Sequence, residues 1–186
     1  MTVLNVAMFG SDELAKEIAK ATDQRDVHTY VHKESKEGIA KIISIIRPAR
    51  YPERLRPLLN AISAGRVGII EISAIDATLG EVLVAFASSS IEFGIAVVRP
   101  KDGDWVDQAM AEKMFAQAGL NKWKFMPPDG VDIRNHLYDL MDEIQDELTN
   151  SAASPLVVSI DQYFNVKGIG LVAIGYVQCG TIKVHD

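Results

Sequence analysis

Directly after the apolar run Thr2–Phe9 the chain reads Gly10-Ser-Asp-Glu-Leu-Ala15-Lys16-Glu17. A glycine and a lysine at this spacing, where a strand gives way to a helix, are two of the groups with which a G-x-x-x-x-G-K-[ST] loop holds phosphates. Glycine amides wrap the anion, the lysine neutralises its charge, and the hydroxyl holds Mg²⁺. Here Ala15 stands where the second glycine belongs and Glu17 where the hydroxyl belongs, and Asp12, Glu13 and Glu17 bring negative charge to the place a phosphate would take. Lys16 therefore reads first as an exposed helix lysine. A second cationic stretch holds Arg47, Arg50, Arg54 and Arg56 against the single acid Glu53. It is either a solvated helix start or a local phosphate or partner site on an otherwise acidic chain.

The remaining spacings carry less chemistry. His28 and His32 share one side of a strand without a third ligand near them, and read as ordinary edge-strand histidines. Asp102 with Asp104, and Glu34 with Glu37, fall in loops or a turn with no apolar surroundings to shift a pKa. Cys179, the only cysteine, can form neither an internal disulfide nor a thiolate cluster for a metal. Trp105 and Trp123 flank a helix and read as packing at the edge of the core. Asp132, Asp139, Asp142, Glu143, Asp146 and Glu147, with only Arg134 among them, read as a solvated helix face. No catalytic group and no metal-ligand set is legible.

The elements that must position these residues follow from hydrophobic periodicity. Thr2–Phe9 is a buried strand, and Ser11 or Asp12 caps a helix whose Leu14, Ile18 and Ala19 share a face. Val27–Lys33 and Ile39–Arg47 read as a hairpin joined by the polar turn ESKEG. Pro52–Ala64 is helical with Leu55, Leu58, Leu59 and Ile62 spaced for one apolar face, and Gly65 ends it. Strands at Val67–Ala74, Phe93–Val98 and Lys122–Met126 then alternate with helices at Ala77–Ser88, Trp105–Ala118 and Val131–Leu148. In the last of these Ile133, Leu137, Leu140, Met141 and Ile144 point inward. Continuous apolar strands alternating with helices predict a mainly parallel sheet covered on both faces, of six strands with five helices, the Val27–Lys33 strand antiparallel at one edge. That connectivity is the Ras-like one.

The chain has 186 residues, 48% of them hydrophobic and 24% charged, which excludes disordered and collagen-like classes. Its formal charge of −6 argues against a general nucleic-acid-coating protein. No apolar run approaches the roughly 18 residues of a membrane span, and the N-terminus lacks a basic region and cleavage site, so a soluble cytoplasmic protein is expected, with neither membrane nor DNA as partner. Thr149–Pro155 (TNSAASP) is small and polar, a linker between an α/β domain at 1–148 and an all-β segment at 156–186. About three strands fit in that segment, so the sequence reads as ending inside its second domain.

The all-β segment carries a resemblance. From Ile160 to Asp186 the sequence is similar to the start of domain 2 of the translational GTPases, whose pattern is roughly I-D-x-x-F-x-[IV]-K-G-x-G-x-V-x-x-G-x-V-x-x-G-x-[IV]-K-V-x-D. Phe164, Lys167, Gly168, Gly170, Val172, Gly175, Val177, Gly180, Ile182, Lys183, Val184 and Asp186 match it, and Leu171 replaces the family's usual threonine. It most resembles elongation factor Tu and the selenocysteine-specific factors of the SelB type. The resemblance implies a Ras-like GTPase domain followed by a β-barrel, with GTP and Mg²⁺ as ligands and aminoacyl-tRNA and the ribosome as partners.

Held against that family, the nucleotide motifs are degenerate. D-T-P-G-H corresponds to Ile46-Arg47-Pro48-Ala49-Arg50, which lacks the Mg²⁺-linked Asp, the γ-phosphate-sensing Gly and the water-orienting His. Thr22–Asp26 is too short for the switch loop and its Mg²⁺-binding Thr. N-K-x-D reads Arg99-Pro100-Lys101-Asp102 and keeps only the Asp, while S-A-[LK] falls on Met126-Pro127-Pro128 with Asp129-Gly130 surviving beyond it. Gly10, Lys16 and Asp102 are what remains of a nucleotide site. The family comparison thus implies an elongation-factor-like protein, binding a specialised aminoacyl-tRNA, with GTP binding and hydrolysis weakened or lost. Two alternatives stay open: a GTP-binding enzyme with an unrecognised pocket, and a non-enzymatic protein-interaction module that uses the arginine stretch.

Overall fold

A computed structural model describes residues 2–24, 27–36, 38–102 and 104–184. Asp26, Glu37 and Asp186, named above, lie outside the described residues. The chain divides into two compact units, one up to Leu140 and one from Met141 onward.

The first unit is built on β1 (Thr2–Phe9), α1 (Asp12–Ile18), β2 (Lys20–Gln24), β3 (Val27–Lys36), β4 (Ile39–Pro48), α2 (Leu55–Ala64), β5 (Val67–Ile72), α3 (Ala77–Ala87), β6 (Phe93–Val98), α4 (Gln108–Ala118), β7 (Trp123–Met126) and all but the last three residues of α5 (Gly130–Glu143). Its seven strands lie in the order β2-β3-β4-β1-β5-β6-β7. β1 runs parallel to β4 and β5, with Val6 opposite Ile45 and Val67, and β5, β6 and β7 continue in parallel. β3 and β4 form the expected antiparallel hairpin, from Val27 opposite Pro48 to Lys36 opposite Ile39.

Two sequence expectations are corrected here. The sheet has seven strands rather than six, because Lys20–Gln24 pairs antiparallel with β3. Thr22 fixes this strand: its hydroxyl donates to the Thr29 carbonyl at 3.0 Å and meets the Thr29 hydroxyl at 2.8 Å. β2 is therefore the edge, and β3, with His28 and His32, is an interior strand. The helix at Trp105–Ala118 begins only at Gln108, capped by the Asp107 carboxylate on Met110 N–H at 3.2 Å.

Strand alternation sorts the core. Ala7, Ile70, Ile72 and Ala96 pack with Leu58 and Ile62 of α2, Leu79, Val82, Leu83 and Phe86 of α3, and Ala111 and Phe115 of α4. Val6, Met8, Ile69, Glu71, Ile95 and Val97 thus face the opposite side, where Ser11 at the start of α1 meets Glu71. The start of α5 closes onto the end of α1: Arg134 donates to the carbonyls of Ile18 at 2.6 Å and Glu17 at 2.8 Å. A Cβ at Gly130 would lie 2.6 Å from the Glu17 backbone, so only glycine fits that contact. Asp129 caps α5 by accepting from Val131 and Asp132 N–H. The surviving Asp-Gly pair is thereby accounted for structurally.

The apolar face of α2 also differs from expectation. Pro57, Leu58, Ala61 and Ile62 are buried, while Leu55 and Leu59 are 56% and 48% exposed. Trp123 is buried against Phe86 and Phe115, but Trp105 is 81% exposed and does not pack at the core edge.

In the second unit the small polar stretch is mostly helical. α6 (Gln145–Ala153) ends one residue before Ser154, so Val131–Leu148 is not one helix and Thr149–Ala153 is not an extended linker. There are six helices rather than five among the described residues. β8 (Val157–Val166) and β9 (Gly170–Cys179) form an antiparallel hairpin, in which Gly168 and Gly170 take φ of 87° and 100°, the left-handed values that make glycine the residue for this turn.

Candidate functional site

The C-terminal ends of β1, β5 and β6 open on one side of the sheet, where the topology changes direction about β1 and ligands of open α/β sheets are held. A cleft of about 640 Å³ lies there, lined among others by Gly10, Ser11, Tyr51, Glu71, Arg99 and Asp102. Gly10 and Asp102, two of the three residues that the family resemblance points to for a nucleotide, thus line one cleft, with Asp102 exposed in the turn after β6.

The third does not join them. β1 ends at Phe9 and α1 begins at Asp12, so only Gly10 and Ser11 separate strand and helix and no loop wraps an anion. Lys16 falls on the second turn, where its Nζ pairs with Asp12 Oδ2 at 2.5 Å, and it is not among the residues lining the cleft. That pair raises the Lys16 pKa and, together with the Tyr30 hydroxyl, lowers that of Asp12. Tyr30, fully buried, donates to Asp12; burial first and this bond second push its phenol up to about 12.

Glu71, the last charged residue of β5, is the group that sequence reasoning missed. It is 7% exposed, and its carboxylate accepts from the backbone N–H of Ser11 and, at 3.0 Å, from the Ser11 hydroxyl. Ser11 Oγ in turn caps α1 by accepting from Leu14 N–H at 3.1 Å. Arg99 Nε lies 3.8 Å from Glu71 Oε1, and Arg99 Nη2 donates to Glu17 at 3.0 Å. A Cβ on Gly10 would sit 2.9 Å from Glu71 Oε2, so the glycine makes room for this carboxylate. The signal was one acid inside the otherwise apolar VGIIEI run, which a reading of continuous hydrophobicity passes over.

The arginine stretch divides. Arg47 is half-buried and donates through Nε to the Gly10 carbonyl at 2.6 Å, with Nη1 3.3 Å from His28 Nδ1. Arg50, Arg54 and Arg56 are exposed around the start of α2. His32 Nδ1 meets the Tyr138 hydroxyl at 2.8 Å, and burial first, then Arg134, lower its pKa.

A Mg²⁺-bound nucleoside triphosphate does not fit these residues. A carboxylate occupies the donors at the end of β1, Lys16 is paired elsewhere, Glu17 faces Arg99, and Thr22 is engaged in the edge strand. No helix of the described residues is long and apolar enough to cross a membrane.

No family model matches the sequence. An uncharacterized protein of Methanocaldococcus jannaschii, MJ0325, is 30% identical over 187 residues; the match takes in all of this chain and 56% of that protein, so the chain spans about half of its curated relative. Among solved structures, the translation elongation factor SelB of Methanococcus maripaludis, in complex with the GTP analogue GppNHp, matches with a TM-score of 0.65 at 19% identity. That match covers 100% of this chain and 44% of SelB. A bacterial selenocysteine-specific elongation factor, EF-Sec, matches with a TM-score of 0.61 at 20% identity, over 96% of this chain and 34% of that one. The architecture is thus a SelB-like one: a Ras-like mixed sheet with helices on both faces, followed by antiparallel strands that correspond to the opening of a domain-2 barrel.

Proposed function

We propose that the chain acts in protein synthesis as a SelB- and elongation-factor-Tu-like protein that binds an aminoacyl-tRNA, of a specialised kind, with GTP binding and hydrolysis weakened or lost. Residues 1–148 serve as a degenerate GTPase-like domain and 156–186 as the opening of a tRNA-contacting barrel, in a cytoplasmic protein that meets the ribosome. The observation that carries this reading is the likeness to SelB over the whole chain, α/β unit and glycine-turned hairpin alike. The weakened nucleotide site rests on Glu71 and on the separation of Lys16 from the cleft. Calorimetric titration with GTP and Mg²⁺ should give a dissociation constant weaker than about 10 μM, near −7 kcal/mol. Tighter binding would favour an enzyme with an unrecognised pocket. In gel retardation with bulk tRNA, the aminoacylated form should be retained over the deacylated form; equal retention, or none, tells against the elongation-factor reading.

One observation favours the second alternative, a protein-interaction module. Leu55, between Arg54 and Arg56, and Leu59 stand exposed one turn apart on α2. Apolar side chains among arginines suit a protein surface better than a phosphate backbone. Replacing both leucines by Ser, which changes no charge, should leave tRNA retention unchanged if RNA is the partner of this face.

A further inference from the structure

Glu71 is a buried anion in the part of the fold where the related structures lead one to look for phosphate. Two hydrogen-bond donors of Ser11 converge on it, from the main chain and from the hydroxyl, and the Arg99 guanidinium approaches from β6. Arg99 Nη1 is buried without a hydrogen-bond partner, so the guanidinium keeps a donor unused at the wall of the cleft. Gly10, the residue a nucleotide-binding reading assigns to phosphate, instead gives Glu71 its space.

We infer that the Glu71 carboxylate is an internal substitute for a bound phosphate: it occupies the donors of Ser11, ties β1, β5 and β6 together without a ligand, and excludes anionic ligands, nucleotide phosphates among them, from the cleft. The inference rests on reading the first unit as a relative of nucleotide-binding domains. Its physical basis is saturation and charge. The Ser11 amide has one hydrogen and the hydroxyl one, and both are directed at Glu71. A second anion would find both Ser11 donors taken, leaving it the unused Arg99 donor alone, and would meet a desolvated negative charge. A chain with this device holds one state of the β1–α1 junction at all nucleotide concentrations.

The test uses the full chain, wild type and Glu71→Ala, in thermal unfolding without phosphate buffer, with and without millimolar inorganic pyrophosphate. Glu92→Ala, which removes a carboxylate bonded to Lys122 outside the cleft, is the control. Glu71→Ala is expected to melt several degrees below wild type, and pyrophosphate to raise its midpoint while leaving wild type and Glu92→Ala unchanged. A response common to all three proteins, or an Ala variant that melts with wild type, overturns the inference. Should Glu71→Ala not fold, Glu71→Ser keeps an acceptor near Ser11, still vacates the space, and carries the same comparison. The anion response is read without RNA, so loss of tRNA retention by wild type would count against the proposed function and leave this result standing by itself.

Discussion

The arginines between Arg47 and Arg56 separate into two kinds in the structure, and replacing them should separate two kinds of loss. Arg50, Arg54 and Arg56 are exposed, so alanine at all three should leave folding intact. If they face tRNA phosphates, each neutralised phosphate contributes ~0.7 to 0.9 to the slope of log affinity against log salt. Three lost contacts then flatten that slope by ~2 to 3, equivalent to ~20- to 40-fold less salt-dependent change between ~50 and ~200 mM. Arg47 is different. Its guanidinium satisfies the Gly10 carbonyl from a half-buried position, a charged hydrogen bond of about 1.5–3 kcal/mol before discounting for its solvent contact. Arg47→Ala should therefore lower the midpoint of thermal unfolding by about 3–6 °C in a protein of this size and leave the salt slope alone.

Filter binding of aminoacyl-tRNA across a salt series, beside circular-dichroism melting curves of the same variants, measures both quantities. A triple variant whose slope falls by less than about 1 removes the phosphate face from consideration. An Arg47→Ala protein that melts with wild type yet loses salt dependence would reverse the assignment.

Glycine replacement should report on the core. Gly94→Ala places a Cβ 2.5 Å from the buried Trp123 ring and should cost about 1–3 kcal/mol by overpacking, whereas Gly80→Ala, inside α3 with open space around it, should gain up to about 1 kcal/mol; denaturant midpoints in the opposite order would refute this packing. His32 is held below its ordinary value by burial and by Arg134, so the unfolded chain takes the proton first as pH falls. The stability from the neutral ring is whole above about pH 6.5 and is lost as pH drops through the folded value, and His32→Gln should flatten the midpoint-against-pH curve there. Tyr30 is pushed up to about 12, so the stability from its neutral phenol is whole below the ordinary value of 10 and is lost as pH rises between the two. Tyr51 is also pushed up to about 12, so ultraviolet titration should lose one phenolate from its late step in Tyr30→Phe and keep the other; a titration indistinguishable from wild type would sink this assignment.

The strands and helices of the first unit were legible because most of them bury a whole face, and burial imprints a period on the sequence. What was not legible depends on partners distant in sequence. Lys20–Gln24 is polar but for Ala21 and carries no apolar alternation; it is a strand through its pairing with β3, where Thr22 and Thr29 bond across the edge. Leu55 and Leu59 fit the helical period as well as Ala61 does, and only the line along which α2 meets the sheet decides which side is buried. Trp105 shows the same limit, for its apolar ring predicts burial and nothing local contradicts that. The linker composition of Thr149–Pro155 is compatible with helix to Ala153, since Ser and Ala tolerate either.

The site was legible as a set of degraded motifs and illegible as an arrangement, for a reason that concerns backbone satisfaction. Main-chain groups where a strand gives way to a helix, or where a helix ends, need partners, and orphaned groups are costly. Several have a charged side chain on them here. Glu71 accepts from the Ser11 amide, Arg47 donates to the Gly10 carbonyl, and Arg134 donates to the Glu17 and Ile18 carbonyls at the end of α1. Read from sequence, Arg47 belongs to a cationic stretch that suggests a partner outside the chain and Arg134 to a solvated helix face; in the fold, both are engaged by the chain itself. The same engagement narrows the search for partners. Charges directed at the backbone are taken up by the fold itself, and under the tRNA-binding proposal the side chains to test are the exposed Arg50 and Arg54 beside Leu55 and Leu59, and Lys101 at the cleft.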